Sequence, residues 1–285
     1  MNDTSEMQEW ESEIKAEDSL FSINFKEVWQ YRDLLLMLVK RDYISTYKQT
    51  ILGPIWFFVQ PILTMIIYVI LFGQIAKLST DGTPQIVFYL SGITIWNYFS
   101  ESLTKTSSVF RDNAAIFGKV YFPRLIMPLS IVVSALIKFG IQFTLFIAVV
   151  LYYTFIEHRI EPNVWVLATP FLLLLMSLFS LGLGMIFSSM TTKYKDLVFL
   201  LTFGIQLFMY ATPVVYSMGS IPQKYQWIVK ANPLTGIFEC FRYAYLGSGS
   251  FNPNSLLFST GVIVVLLGLG VVIFNKVEKS FMDTV

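Results

Sequence analysis

Long apolar runs dominate this chain, and polar residues gather in the gaps between them. A helix crossing a bilayer needs about 20 mostly apolar residues. Six stretches meet or approach that length: Ile51 to Ile75, Ile86 to Leu103, Ile126 to Phe155, Val164 to Met190, Leu197 to Tyr216 and Leu256 to Phe274. Asn97, Ser100 and Glu101 dilute the second. The third exceeds one span, so it must tilt or begin in the interface. The pattern predicts an all-α integral membrane protein with six transmembrane helices.

Two stretches fall outside that pattern. Before the first span, Leu34 to Val39 is too short to cross. Trp29, Tyr31, Tyr43 and Tyr47 accompany it, with Lys26, Arg32, Lys40, Arg41 and Lys48. Aromatic and basic residues around a short apolar run predict an amphipathic helix in the inner interface. Asn24 and Glu27 have capping-box spacing at its start. The alternative is a soluble amphipathic helix packed on the protein's own loops. Between spans five and six lie residues 213–255. Ser220 is placed to cap a helix through Ala231, with Pro222 in its first turn. Asn232-Pro233 breaks it, and a second helix runs from Leu234 to Leu246 and stops at Gly247. Neither is long enough to cross. Such a pair lies on the membrane or dips in and returns, and non-helical backbone at depth needs protein or a watery cavity around it.

The chain divides into an acidic, water-exposed tail (1–20), an interfacial region (21–50) and a transmembrane domain (51–285). That domain includes a cytoplasmic loop (104–125) and an outer re-entrant region (213–255). The tail lacks the apolar region of a signal peptide. Charged residues make up 14% of the 285 residues, against about 25% in soluble domains. Mean hydropathy is +0.61, so apolar side chains must face lipid. Net charge is +1, which gives no reason to expect nucleic acid. Cys240 and His158 are single, so no intrachain disulfide or Cys/His metal cluster can form.

Basic residues set the orientation. They precede span one, and Lys105, Arg111, Lys119 and Arg124 lie between spans two and three. Lys193 and Lys195 follow span four, and Lys276 and Lys279 follow span six. The opposite loops hold fewer, mainly Lys77, Arg159, Lys224, Lys230 and Arg242. Positive charge stays inside, so both termini are placed in the cytoplasm.

No nucleotide-binding motif accompanies these spans. Gly118-Lys119 lacks the earlier glycine and the following Ser or Thr of a P-loop, because Asn113 and Val120 occupy those places. An enzyme active site is not expected. Ion-coupled carriers bury acidic residues at mid-membrane, whereas the interior charge here is Lys138. Two readings of Lys138 stand: it faces a cavity, partner helix or subunit interface, or it snorkels to the inner surface. In "SLGLGMIFS", Ser180, Gly184 and Ser188 form a small-residue ridge suited to close helix approach.

Three blocks resemble one family across nearly the whole chain. "LVKRDYISTYKQTILGPIWFFVQPIL" pairs arginine with aspartate ahead of Leu-Gly-x-x-Trp and Gln-Pro. "GKVYFPRLIMPLS" carries Tyr-Phe-Pro-Arg. "YATPVVYSMGSIPQKYQWIVKANPLTGIFECFRYAYLG" carries Thr-Pro-Val-x-Tyr and Asn-Pro-Leu. In this order and these topological positions they resemble the membrane (permease) subunit of bacterial ABC exporters for O-antigen, capsule and teichoic acid. The acidic tail and Lys138 depart from that pattern.

The resemblance implies a homodimer forming the path for a lipid-linked polysaccharide, with two separate cytoplasmic ATPase subunits. The chain itself would bind no cofactor, and ATP and magnesium would sit on the partner. It implies a coupling loop in which Asn113 caps a helix over Ala114 to Phe117, and Ile116 and Phe117 enter the ATPase. Lys119, Tyr121, Phe122, Pro123 and Arg124 would link it to span three, with Arg124 pairing a lipid phosphate or acidic residue, or serving only as an inside anchor. It also places candidate channel-lining residues: Tyr89, Trp96, Tyr98, Phe99, Lys138, Tyr210, Tyr216, Phe238, Phe241 and Tyr245. Singly, each aromatic fits an interface belt or packing as well. Rival readings are an ABC exporter of small lipophilic compounds, an ATP-independent channel or carrier, and a membrane scaffold.

Overall fold

In the computed structural model, residues 25–48, 50–51, 53–117, 122–194, 196–249 and 251–282 are described. The acidic tail (1–20), Asn24, Lys119, Tyr121 and Lys195 lie outside them. The described residues are helical, with no strand among them. Helices α1 (Phe25–Gln30) and α2 (Arg32–Tyr47) form the N-terminal arm. A 3-10 turn at Gly53–Ile55 leads into α3 (Trp56–Tyr68), which widens into a π-helix over Val69–Ile75. Next come α4 (Gln85–Thr106), the short α5 (Val109–Asp112) and α6 (Ala114–Phe117), and the long α7 (Ile126–Phe155). A 3-10 turn at Val164–Ala168 precedes α8 (Thr169–Lys193), and α9 spans Leu197–Ala211. The outer region holds α10 (Gln223–Lys230) and α11 (Pro233–Leu246), and α12 runs over Pro253–Met282.

Four helical stretches are long and apolar enough to cross a membrane: Gly53–Ile75, Ile126–Phe155, Val164–Lys193 and Pro253–Val277. The expected six spans are thus matched by four on length and composition. The stretch Leu197 to Tyr216 shortens to the 15 residues of α9. Thr212 is extended, at φ −107° and ψ 143°, because Pro213 disfavours helix at the residue before it. Helix α4 has the length, at 22 residues, but carries too much polarity.

The centre of the bundle explains that polarity. Fifteen of the α4 residues are buried, among them Val87, Tyr89, Ile93, Tyr98 and Phe99. Helices α3, α7, α8 and α11 surround α4. Its hydroxyls return to its own backbone: Ser91 donates to the Phe88 carbonyl at 2.6 Å and Thr94 to Leu90 at 2.8 Å. Such back-bonding is how Ser and Thr are accommodated inside a helix.

The most extensive packing joins α8 to α12. A Cβ at Gly270 would sit 2.5 Å from the Gly182 carbonyl, and one at Gly182 would meet the Leu267 backbone at 2.9 Å. Small residues there let two backbones touch, where dispersion rather than water exclusion drives association. The ridge predicted at Ser180, Gly184 and Ser188 is buried, and a Cβ at Gly184 would strike the Thr106 side chain of α4. Helix α8 is therefore gripped on two faces.

One expected cap is built differently. Ser220 ends a 3-10 turn, donating its hydroxyl to the Ser217 carbonyl at 2.6 Å, and Pro222 takes the N-cap of α10. The capping role falls to Asn232, whose side chain accepts from the Leu234 N–H at 2.9 Å and starts α11. Gly247 closes α11 at φ +68°, the left-handed cap expected of it.

Gly270→Leu is expected to cost about 1–3 kcal/mol through overpacking. The folded fraction in detergent, read by size-exclusion chromatography, should fall. Gly261→Leu, where a Cβ meets nothing within 4 Å, should leave it unchanged.

Candidate functional site

Several polar residues of α4 collect on one strip. Asn97, Glu101 and Lys105 are spaced by four, with Ser100 and Thr104 beside them, so all five share a face. Helix α7 runs antiparallel alongside and meets that face at matching levels. The Asn97 amide donates to Gln142 Oε1 at 3.2 Å. One turn further along, Glu101 Oε2 receives Lys138 Nζ at 2.8 Å, while Glu101 Oε1 receives Lys105 Nζ at 2.9 Å. The Lys138 ammonium also lies 5.2 Å from the Phe57 ring of α3. One carboxylate thus holds two ammonium groups, leaving the triad one positive charge in excess.

These side chains border a cavity of about 270 Å³ lined by Gln60, Asn97, Ser100, Glu101, Thr104, Lys105 and Lys138. Gln60, Thr104 and Lys105 are exposed at its mouth, and Gln142 is buried beneath it. At about 1.5 Å per residue, Lys138 lies about 18 Å along α7 from Ile126. There it lines this cavity and pairs with Glu101.

The aromatic candidates sit elsewhere. Tyr89, Trp96, Tyr98, Phe99, Phe238, Phe241 and Tyr245 are buried inside the chain. Phe99 stacks on Phe179 at 5.3 Å, Tyr98 shares a 2.5 Å hydrogen bond with Ser177, and Tyr245 shares one of 2.8 Å with Thr169. Phe241 packs against Phe146 at 5.3 Å, and Trp96 against Phe208 at 6.3 Å. Within this chain these rings fill the space between helices. Tyr210 is exposed and Tyr216 half-buried, its hydroxyl donating to the Tyr210 carbonyl.

The inner elbow is also rearranged. Helix α6 forms over Ala114–Phe117 as expected. The Asn113 side chain points backward, though, donating to the Val109 carbonyl at 3.0 Å and closing α5. Phe117 is buried, stacked on Phe122 at 5.7 Å and beside Phe110 at 5.7 Å. The Arg124 guanidinium is buried too, 5.4 Å from the Phe117 ring. In this chain Phe117 thus packs the elbow onto the core, with Arg124 buried beside it. Ile116 is half-buried, Pro123 half-buried next to Phe122, and the outward positions are Arg111, Asp112 and Ala115.

At the opposite end, Arg242 of α11 ties the outer loop. It donates to the carbonyls of Pro213 at 2.6 Å, Val214 at 2.6 Å and Tyr216 at 3.1 Å. Its guanidinium lies 3.8 Å from the centre of the Phe88 ring. Nearby, the Ser217 hydroxyl donates to Asp81 at 2.9 Å. The adjoining cavity is about 20 Å³, room for about one water. This knot is structural, and closes the N-terminal end of α4 against the loop after α9.

Sequence reasoning named Lys138 but not its partners as a group. The signal was the four-residue spacing of Asn97, Glu101 and Lys105, which reads as dilution of a span until the helix is drawn as a surface.

With this geometry in place, the comparisons with known proteins decide the family. Residues 33–246 match the ABC-2 type transporter family. The chain belongs to that family. The resemblance read from its three blocks therefore holds. An O-antigen export system permease protein RfbA from Klebsiella pneumoniae is 31% identical over 88% of this chain and 94% of its own length. One of the same name from Myxococcus xanthus is 27% identical over 91% of this chain and 98% of its own. The capsule polysaccharide export inner-membrane protein CtrC of Neisseria meningitidis is 24% identical over 82% of this chain and 88% of its own. As an ABC-2 type transporter chain with four spanning-length apolar helices, it is a multi-pass membrane permease.

Arg242→Lys loses the fork that reaches several carbonyls at once. Because bonds from a charged donor contribute about 1.5–3 kcal/mol each, the variant should unfold at a clearly lower temperature, measured by thiol-independent light-scattering melts in detergent.

Proposed function

We propose that this chain is the membrane subunit of an ATP-driven exporter that carries a lipid-linked surface polysaccharide outward across the inner (plasma) membrane. The observation that carries the reading is the end-to-end match to permeases whose names specify O-antigen and capsule polysaccharide export. Two copies of the chain form the path, and two copies of a separate cytoplasmic subunit bind ATP and magnesium. Both termini face the cytoplasm, as the distribution of basic residues supports. Helices α4 and α9 complete six spans: α4 is shielded by its neighbours, and α9 is lengthened by the loop that Arg242 binds. The arm of α1 and α2 lies in the inner interface, its exposed Trp29, Leu36 and Met37 suiting that boundary. Helices α10 and α11 form a re-entrant pair on the outer side.

The elbow of α5 and α6 is the coupling element. Arg111 and Ala115 present its outward face, while Phe117, Phe122 and Arg124 brace it against α7. Motion of the ATPase then reaches α4 and α7 together, because the elbow joins those two helices directly.

Tagged chain extracted gently from its native membrane should bring an ATPase with it in equal amount, and a deletion strain should lose one surface polysaccharide. Ala115→Asp together with Arg111→Glu should leave the chain in the membrane but abolish that co-purification and the polysaccharide. Recovery of the chain alone from wild-type membranes, with transport set by a gradient, would instead support a channel or carrier.

A further inference from the structure

We infer that the cavity between α3, α4 and α7 is a carbohydrate-binding site, sized for one sugar ring, with Glu101 clamped by Lys105 and Lys138 at its charged edge. The inference deepens the polysaccharide-export reading and rests on it.

Depth and exposure come first. Lys138 lies well inside the 30-residue α7, and Glu101 and Lys105 lie in the last two turns of α4, where charges turned to hydrocarbon would be costly. Yet the side chains of Lys105, Lys138 and Glu101 keep 48%, 23% and 20% of their surface exposed, and Gln60 and Thr104 are open beside them. This face therefore meets water or a polar ligand within the membrane. The chemistry of the lining comes second. Each lysine ammonium carries three donors and gives one to Glu101, so both retain donors facing the cavity. Glu101, Asn97 and Gln60 supply acceptors, Ser100 and Thr104 supply hydroxyls, and the Asn97 and Gln60 amides supply further donors. Gln142 lies just beneath, 1% exposed, its Nε2 without a hydrogen-bond partner.

Donors and acceptors are thus interleaved over a few ångströms. A phosphate or carboxylate ligand would want donors alone, whereas Glu101, Asn97 and Gln60 set acceptors among the donors here. A ring bearing several hydroxyls, each donor and acceptor at once, matches the alternation. At about 270 Å³ the cavity is near the small end of ligand pockets, which run from about 300 to 1,000 Å³. It fits one sugar residue of a chain passing through. Weak, single-residue contact is what a sliding polymer requires.

The test uses Thr104→Cys and Gln60→Cys in the complete transporter, in inside-out vesicles, with a membrane-impermeant thiosulfonate that reacts only in water. Wild type, with its buried Cys240, is the blank, and Phe203→Cys on the apolar outside of α9 is the lipid control. Both cavity thiols should react at least tenfold faster than the thiol at position 203. Polysaccharide from the same cells, stripped of its lipid, should slow that reaction, while inorganic phosphate at the same concentration should not. Adding Glu101→Ala should raise the polysaccharide concentration needed for protection by roughly tenfold, the equivalent of one good hydrogen bond, and Glu101→Gln should restore part of it. Protection by phosphate, absence of protection by the glycan, or thiols as slow as at position 203 would each overturn the site. The export reading fails separately, if a deletion strain keeps its full surface polysaccharide.

Discussion

Hydrocarbon offers no hydrogen-bond partner, and the whole arrangement follows from how one helix lives with that fact. Helix α4 carries hydroxyls, amides and charges that no lipid-facing span could bear. The solution has two parts. The helix is placed at the centre of the bundle, where Ser91 and Thr94 bond backward to their own turns, and Tyr98 finds Ser177 on α8. Its amide and its charges are sorted onto one strip, where Asn97 meets Gln142 and Glu101 meets Lys138. The neighbours can then be plainly apolar because α4 is not.

The two ends of α4 are held by different means. At its N-terminal end, Arg242 satisfies three carbonyls where α9 gives way to loop, and Gly92 lets that loop approach so closely that a Cβ would lie 2.5 Å from the Val214 oxygen. At its C-terminal end, a stack of Phe110, Phe117 and Phe122 binds the elbow to the core, with Phe110 stacked on Phe274 of α12 at 4.5 Å. One end is fixed by charge-assisted hydrogen bonds and the other by ring packing. The cavity lies beside the turns of α4 that carry Asn97 to Lys105.

Much of this was legible in the residues. The bounds of α7 coincide with the apolar run Ile126 to Phe155, and the Gly247 cap and the break at Asn232-Pro233 follow from local chemistry. The shortening of α9 was legible too, in the effect of Pro213 on Thr212. What could not be read was direction. Phe117 in a short loop helix has no periodic partner to show whether it points in or out, and only the ring stack with Phe122 decides it. The aromatic residues of α4 and α11 are equally ambiguous, since packing and ligand contact call for the same side chains. The pairing of Glu101 with Lys138 joins positions 37 apart on antiparallel helices, so no local pattern contains it.

The glycine contact between α8 and α12 bears on how the protein is made. About 60 residues separate the end of one helix from the start of the other, and ribosomes add roughly 5–20 residues per second. For several seconds during synthesis, α8 therefore stands in the bilayer with Gly182 bare, before its partner exists. A bare glycine ridge binds any helix that offers small residues. Correct assembly of the bundle is thus a race between the arrival of α12 and capture of α8 by a neighbouring chain, and slow translation over the outer loop would bias it towards the wrong partner.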